Sequence, residues 1–172
     1  MTVSSSSRAI DETVSSPVLR RGTIGDLEGC NAVIDAAVST WPLPERVKRL
    51  SLPIYRYDAH DLAHLELRVA EEPDGRIVGL GAWEPAAPED VPQGKQGLLL
   101  HGIFVAPDRQ RSGIGALLIA AAADAARVAG FDGVLVKAQP SAEGFFKVSG
   151  LEPLPVLDAD RDYPHRFWLP VR

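Results

Sequence analysis

"VAPDRQRSGIGALL", residues 105–118, is the stretch on which the reading of this chain turns. An apolar run ends at Val105, Pro107 and a charged segment follow, and Ser112, Gly113, Ile114 and Gly115 lead into an alanine-rich run. This is the pattern of a strand, a turn and a helix. A helix N-terminus leaves its first backbone N–H groups without partners and carries a partial positive charge. Glycine there lets a phosphate reach the amides without meeting a Cβ. Two phosphate-binding loops fail on residue type. A Walker-type loop needs a lysine directly after its last glycine, where this chain has Ala116. A dinucleotide fingerprint needs a third glycine three positions on, where it has Leu118. The plain alternative is that Gly113 starts a helix and does nothing more.

Working outward, the chain of 172 residues suits one domain with one sizeable core, and its 45% hydrophobic and 24% charged residues are ordinary for a globular protein. A net charge of −5 without a dense Lys/Arg run argues against nucleic acid and anionic membranes as partners. Cys30 is the single cysteine, so no intrachain disulfide can form, and no Cys/His cluster has metal-ligand spacing. There is no apolar run of the roughly 20 residues that a membrane span needs and no signal-peptide core, which points to the cytoplasm. Residues 1–16 are Ser-rich and read as a flexible tail, leaving 17–172 as the domain.

Along that domain, 18–22 reads as a strand. Asp26 reads as the cap of a helix carrying Leu27, Cys30, Val33, Ile34 and Val38 at helical spacing. A second helix starts at Glu45, with Pro53 expected to interrupt it. Residues 65–84 alternate like a hairpin around the "PDG" turn at 73–75. "GLLLHGIFV" (97–105) is apolar enough for a central strand buried on both faces. The helix 116–129 ends at Gly130, and 133–138 is a further strand. Ser141 is expected to cap a short helix ending at Gly150, with strands at 151–157 and 165–171 closing the chain. The order is β-α-α-β-β-β-α-β-α-β-β, an α/β domain of α+β type with a mixed sheet.

"QRSGIG" (110–115) resembles the Q/R-x-x-G-x-G/A signature of the GNAT superfamily of acyl-CoA-dependent N-acyltransferases. Downstream, "QPSAEGFFKVSGLEPL" (139–154) resembles the second region of that family, commonly N-x-x-A-x-x-F-Y-x-x-x-G-F, with Gln139, Ala142, Phe145, Gly150 and Leu151 in place. The resemblance covers 98–154 closely and the element order of 18–171 more loosely. It implies a GNAT-like, mostly antiparallel sheet of about six to seven strands flanked by about four helices, with a V-shaped opening between two central strands.

The resemblance also implies a site for acetyl-CoA. Its pyrophosphate would lie on the amides of Arg111, Ser112, Gly113, Ile114, Gly115 and Ala116, with Gln110 beside them. Its pantetheine arm would pair like an added strand with Ile103, Phe104 and Val105. Gln139 would hydrogen-bond that arm and Phe146 would pack on it. The family often has tyrosine at the position of Phe146; phenylalanine has no proton to give a departing thiolate.

His101 is the candidate base, because an imidazole titrates near neutral pH. Strand alternation predicts one face for Leu99, His101, Ile103 and Val105. The alternative is a structural histidine bonded across the sheet. Glu84 is a second candidate base and Tyr163 a substitute acid. Trp41, Tyr55, Tyr57, His60, His64, Trp83, Tyr163, His165 and Trp168, with Asp58 and Asp61, are the residues from which an acceptor site would be drawn.

The function these expectations describe is direct transfer of acetyl from acetyl-CoA to a primary amine of a small molecule, with no metal. The rivals are a protein or peptide N-acetyltransferase and a non-catalytic acyl-CoA-binding sensor module. Many members of the family dimerise, so a homodimer is an expectation for which the sequence defines no interface.

Overall fold

The computed structural model describes residues 16–172. The tail expected over 1–16 falls, but for Ser16, outside the described residues. Eleven elements follow in the predicted order: β1 (Val18–Arg21), α1 (Leu27–Ser39), α2 (Glu45–Tyr55), β2 (Glu66–Glu71), β3 (Ile77–Pro85), β4 (Gly97–Val105), α3 (Ile114–Ala129), β5 (Gly133–Lys137), α4 (Glu143–Val148), β6 (Glu152–Pro153) and β7 (Arg166–Pro170). The strands form one sheet in the order β1-β2-β3-β4-β5-β7-β6. Only β4 and β5 pair in parallel; every other neighbouring pair is antiparallel. This is the mixed, mostly antiparallel GNAT-like sheet with four helices that the resemblance implied.

Helical spacing on α1 and strand alternation on β2 and β3 build one half of the core. Cys30, Val33, Ile34, Ala37 and Val38 pack on Leu67, Val69, Leu80 and Phe104. On the opposite face, Ile119, Ala122, Ala123 and Ala126 of α3 pack on Leu98, Leu100, Val134 and Val136. Each fully buried Leu or Ile in these layers contributes about 1.5–3 kcal/mol through burial. Alanine on α3 lets the helix lie close to the sheet.

Three local expectations are corrected. Pro53 does not end α2, which runs on to Tyr55. Pro53 gives up one N–H bond to the preceding turn, and the packing of Leu52 and Tyr55 on the α1 layer holds the helix through it. Ser141 is not a cap: it lies in a 3-10 turn, Pro140–Ala142, and Ala142 precedes α4. The last strands are also shorter than read. Residues 154–165 form a loop tied down by Asp162, which accepts from the Leu157 and Asp158 amides and pairs with Arg166 at 3.0 Å.

The feature that positions the site is where β4 leaves β5. Their parallel pairing runs from Gly97 opposite Gly133 to Leu100 opposite Val136 and stops there. β4 continues to Val105, still paired with β3. Residues 101–105 therefore have a strand on one edge and an open edge on the other. The register with β3 passes from Trp83–Leu100 to Ala82–Gly102, so His101 is an extra residue, a β-bulge. The bulge shifts the alternation. Leu98, Leu100 and Ile103 all pack toward α3, whereas Leu99 packs with Leu135 and Trp168. The predicted common face of Leu99, His101, Ile103 and Val105 is thus broken at His101.

Candidate active site

Gly113 caps α3 with φ +88°, a left-handed conformation that glycine adopts without strain. The first bond of the helix is donated by the Leu117 N–H to the Gly113 C=O, 3.0 Å. The amides of Gly113, Ile114, Gly115 and Ala116 precede it and have no partner within the helix. A Cβ built on Gly113 would meet no protein atom within 4 Å. The space above this helix end is therefore open, as an anion lying on the amides requires. Gly115 answers to a different constraint. A Cβ there would come 2.8 Å from the Phe145 ring. One glycine of the signature leaves open space at the helix end and the other makes room for an aromatic side chain.

The helix end and the open edge of β4 share one cleft of about 390 Å³, walled by Trp41, Ile103, Val105, Arg111, Gly113 and Phe145 among others. Phe104, Gln110, Ile114, Gly115 and Ala116 also reach it. Gln110 Nε2 donates to the Val105 C=O at 3.3 Å, and Ser112 Oγ donates to the Arg109 C=O. Arg109 is paired with Glu72. Among the described residues Arg111 has no ion-pair partner.

Phe146 and Gln139 lie elsewhere. Phe146 is buried in the α3 layer and stacks on Phe167 with ring centroids 6.2 Å apart. Phe145 takes the cleft wall. Successive helical residues point about 100° apart, and two adjacent phenylalanines do not say in sequence which of them faces the cleft. Gln139 Nε2 donates to Tyr55 Oη at 2.5 Å. Tyr55 in turn packs edge-on against Trp41 and Phe104, with centroids 5.2 and 6.1 Å apart.

His101 lies outside the cleft wall, two residues before Ile103, where the strands diverge. Its Nε2 is 2.7 Å from Glu84 Oε1, and both side chains are partly exposed. The two candidate bases are therefore one pair. Tyr163 Oη donates to the Ala138 C=O at 2.9 Å. Of the remaining aromatic residues, Trp83 and Trp168 are core residues. Tyr57 packs on the α1 layer, where burial pushes its phenol up. Asp58 accepts from the amides of His60 and Asp61 and holds a turn. Cys30 is fully buried, which pushes its thiol up to about 12.

The geometry is that of a class of enzymes that lay a phosphate-bearing, extended donor between two diverging strands. A family model described as the acetyltransferase (GNAT) family matches residues 31–151. The chain belongs to the GNAT acetyltransferase family and is an acyltransferase. Among solved structures it is similar to a GNAT-family protein from Desulfovibrio desulfuricans, at 20% identity, covering 90% of this chain and 99% of that one with a TM-score of 0.66. It is also similar to a GNAT-family acetyltransferase from Brucella melitensis in complex with acetyl-CoA, at 21% identity, 89% and 86% coverage and a TM-score of 0.62. A third is AtaTR bound with acetyl-CoA, at 16% identity, 91% and 94% coverage and a TM-score of 0.60. No curated protein matches the sequence. Among the described residues no helix is long and apolar enough to cross a membrane.

Proposed function

We propose that this acetyltransferase transfers the acetyl group of acetyl-CoA directly to a primary amine of a small molecule. The observation that carries the reading is the junction of two features in one cleft: the unpartnered amides at the start of α3, and the open edge of β4 beyond Leu100. The amides suit the pyrophosphate, and the Ile103 and Val105 backbone suits the amide groups of pantetheine. A backbone N–H on this edge would also hold the oxygen of the reacting carbonyl as it gains charge.

His101 takes the proton from the attacking amine. If its Nε2–H donates to Glu84, Nδ1 is left as the basic nitrogen. Trp41 gives the cleft an aromatic wall, which suits an acceptor with an apolar body and a cationic amine. Cys30, buried and with its thiol pushed up, is no candidate for a covalent acyl carrier, which supports direct transfer.

The test is CoA release from acetyl-CoA with a panel of small primary amines, N-terminal peptides and lysine peptides. Release with small amines and no acetylated protein intermediate is the expected result. Release with peptides alone would establish a protein acceptor. Acetyl-CoA binding without release from any acceptor would establish a sensor, the reading that a cleft wall of Phe145 in place of a hydroxyl-bearing ring favours.

A further inference from the structure

We propose that Tyr55 of α2 supplies the proton that the CoA sulfur takes on leaving, with Gln139 as its positioning residue. The inference rests on the acetyltransferase reading above. α4 presents no hydroxyl to the cleft: Phe145 lines it, Phe146 is in the core, and Ser149 Oγ donates to the Phe145 C=O.

Two phenols remain near the divergence of β4 and β5, and their hydrogen bonds distinguish them. A phenol has one proton to donate and lone pairs that accept. Tyr163 spends its proton on the Ala138 C=O. Tyr55 Oη instead accepts from Gln139 Nε2, and among the described residues its proton has no acceptor.

The position of Tyr55 fits the task. Gln139 lies just beyond the end of β5, and Phe104 lies on β4 beyond the last rung shared with β5. Tyr55 is bonded to the first and packed on the second. Tyr55 thus links the residue that follows Ala138 after β5 to a β4 residue beyond the last shared rung, directly behind Trp41 and Phe104, which line the cleft. Trp41, which lines the cleft, holds the ring from another direction. Burial keeps the phenol above its usual range, so it is protonated at neutral pH. The Gln139 N–H works in the opposite sense, favouring the phenolate that forms when the proton leaves.

The step balances. The amine nitrogen bonds to the acetyl carbon and gives up a proton to His101. The C–S bond breaks, its electron pair goes to sulfur, and sulfur takes the Tyr55 proton to leave as CoA thiol. The phenolate regains a proton from water, and the imidazolium releases one to water.

The decisive measurement is binding, which does not depend on turnover. CoA and desulfo-CoA differ at the atom that Tyr55 would touch. Wild-type protein is expected to bind CoA about three- to ten-fold more tightly than desulfo-CoA, the range of one hydrogen bond. Tyr55→Phe, which keeps the ring and its packing, is expected to abolish that preference while leaving the desulfo-CoA affinity unchanged. Tyr163→Phe is expected to retain it.

In turnover, Tyr55→Phe is expected to lower kcat by about 10²-fold with KM for acetyl-CoA nearly unchanged. Gln139→Leu is expected to lower kcat less, again without moving KM. Absence of the preference in wild type, its survival in Tyr55→Phe, or its loss in Tyr163→Phe instead would each overturn the assignment. Unchanged kcat in Gln139→Leu would overturn the positioning role. If no acceptor supports turnover, the acetyltransfer reading fails, and the CoA preference still reports on the contact between Tyr55 and sulfur.

Discussion

His101 Nε2 lies 2.7 Å from Glu84 Oε1, and the contact exists because a bulge adds His101 to β4 opposite the end of β3. On a regular strand the alternation would carry the side chain of residue 101 with its neighbours at 99 and 103. The bulge removes it from that series and gives it a carboxylate partner. A histidine held by a carboxylate through one nitrogen presents the other in a defined orientation, as in hydrolase triads.

Replacement of His101 by Ala is expected to lower kcat about 10²–10⁴-fold, the range for loss of a general base. The loss should shrink as pH rises, because the acceptor amine is then already neutral. Glu84→Gln should cost less, and the double variant should be no slower than His101→Ala, since the two act as a unit. Rate–pH profiles of the three variants check this. Additive losses, or a loss independent of pH, would remove the pair from the chemistry.

Gly113 and Gly115 should respond differently to substitution, although they belong to one signature. Gly113→Ala forces a left-handed conformation on alanine at a cost of about 1–2 kcal/mol and turns the amides away from the phosphate. CoA affinity should fall about ten-fold. In Gly115→Ala the new methyl presses on Phe145, so shortening the ring with Phe145→Leu should restore affinity. The same second substitution should not rescue Gly113→Ala. Calorimetric titration of CoA against the four variants separates the two outcomes.

Much of this was legible in the residues. The order of strands and helices follows from periodicity, and the glycines at 113 and 115 mark the helix start because a helix end without side-chain caps needs some other satisfaction for its amides. Three features were not legible, each for a physical reason. A bulge leaves no mark in "GLLLHGIFV", since one inserted residue changes register without changing composition. Phe145 and Phe146 are chemically identical, so packing against Phe167 rather than residue type decides which of them enters the core. Gln139 reads as a ligand for the donor until Tyr55 is placed beside it, across 84 positions of sequence, a distance that local patterns cannot span.

Cys30 offers a test of direct transfer. Its thiol is fully buried and pushed up to about 12, so almost no thiolate exists at pH 8. Folded protein should resist alkylation by iodoacetamide at that pH, and unfolded protein should react at once. Cys30→Ala should keep kcat within about two-fold while losing about 1 kcal/mol of stability to the smaller side chain. Loss of turnover in a folded Cys30→Ala variant would reopen the question of an acyl-enzyme.

Asp162 sets the acid limit of the 154–165 loop. It accepts from the amides of Leu157 and Asp158, and Arg161 and Arg166 stand beside it, which together hold its carboxyl down to about 2 against an ordinary 3.8. A folded-state value below the unfolded one means that the native protein binds fewer protons. The stability it contributes is therefore complete above about pH 4 and is lost as pH falls through 2. Asp162→Asn should be less stable at pH 7, because Arg166, 5% exposed, loses its carboxylate. It should also show a flatter fall of Tm between pH 4 and 2 than wild type. Calorimetric Tm curves that run parallel through that window would mean that Asp162 titrates alike in both states, and that the loop is held by packing alone.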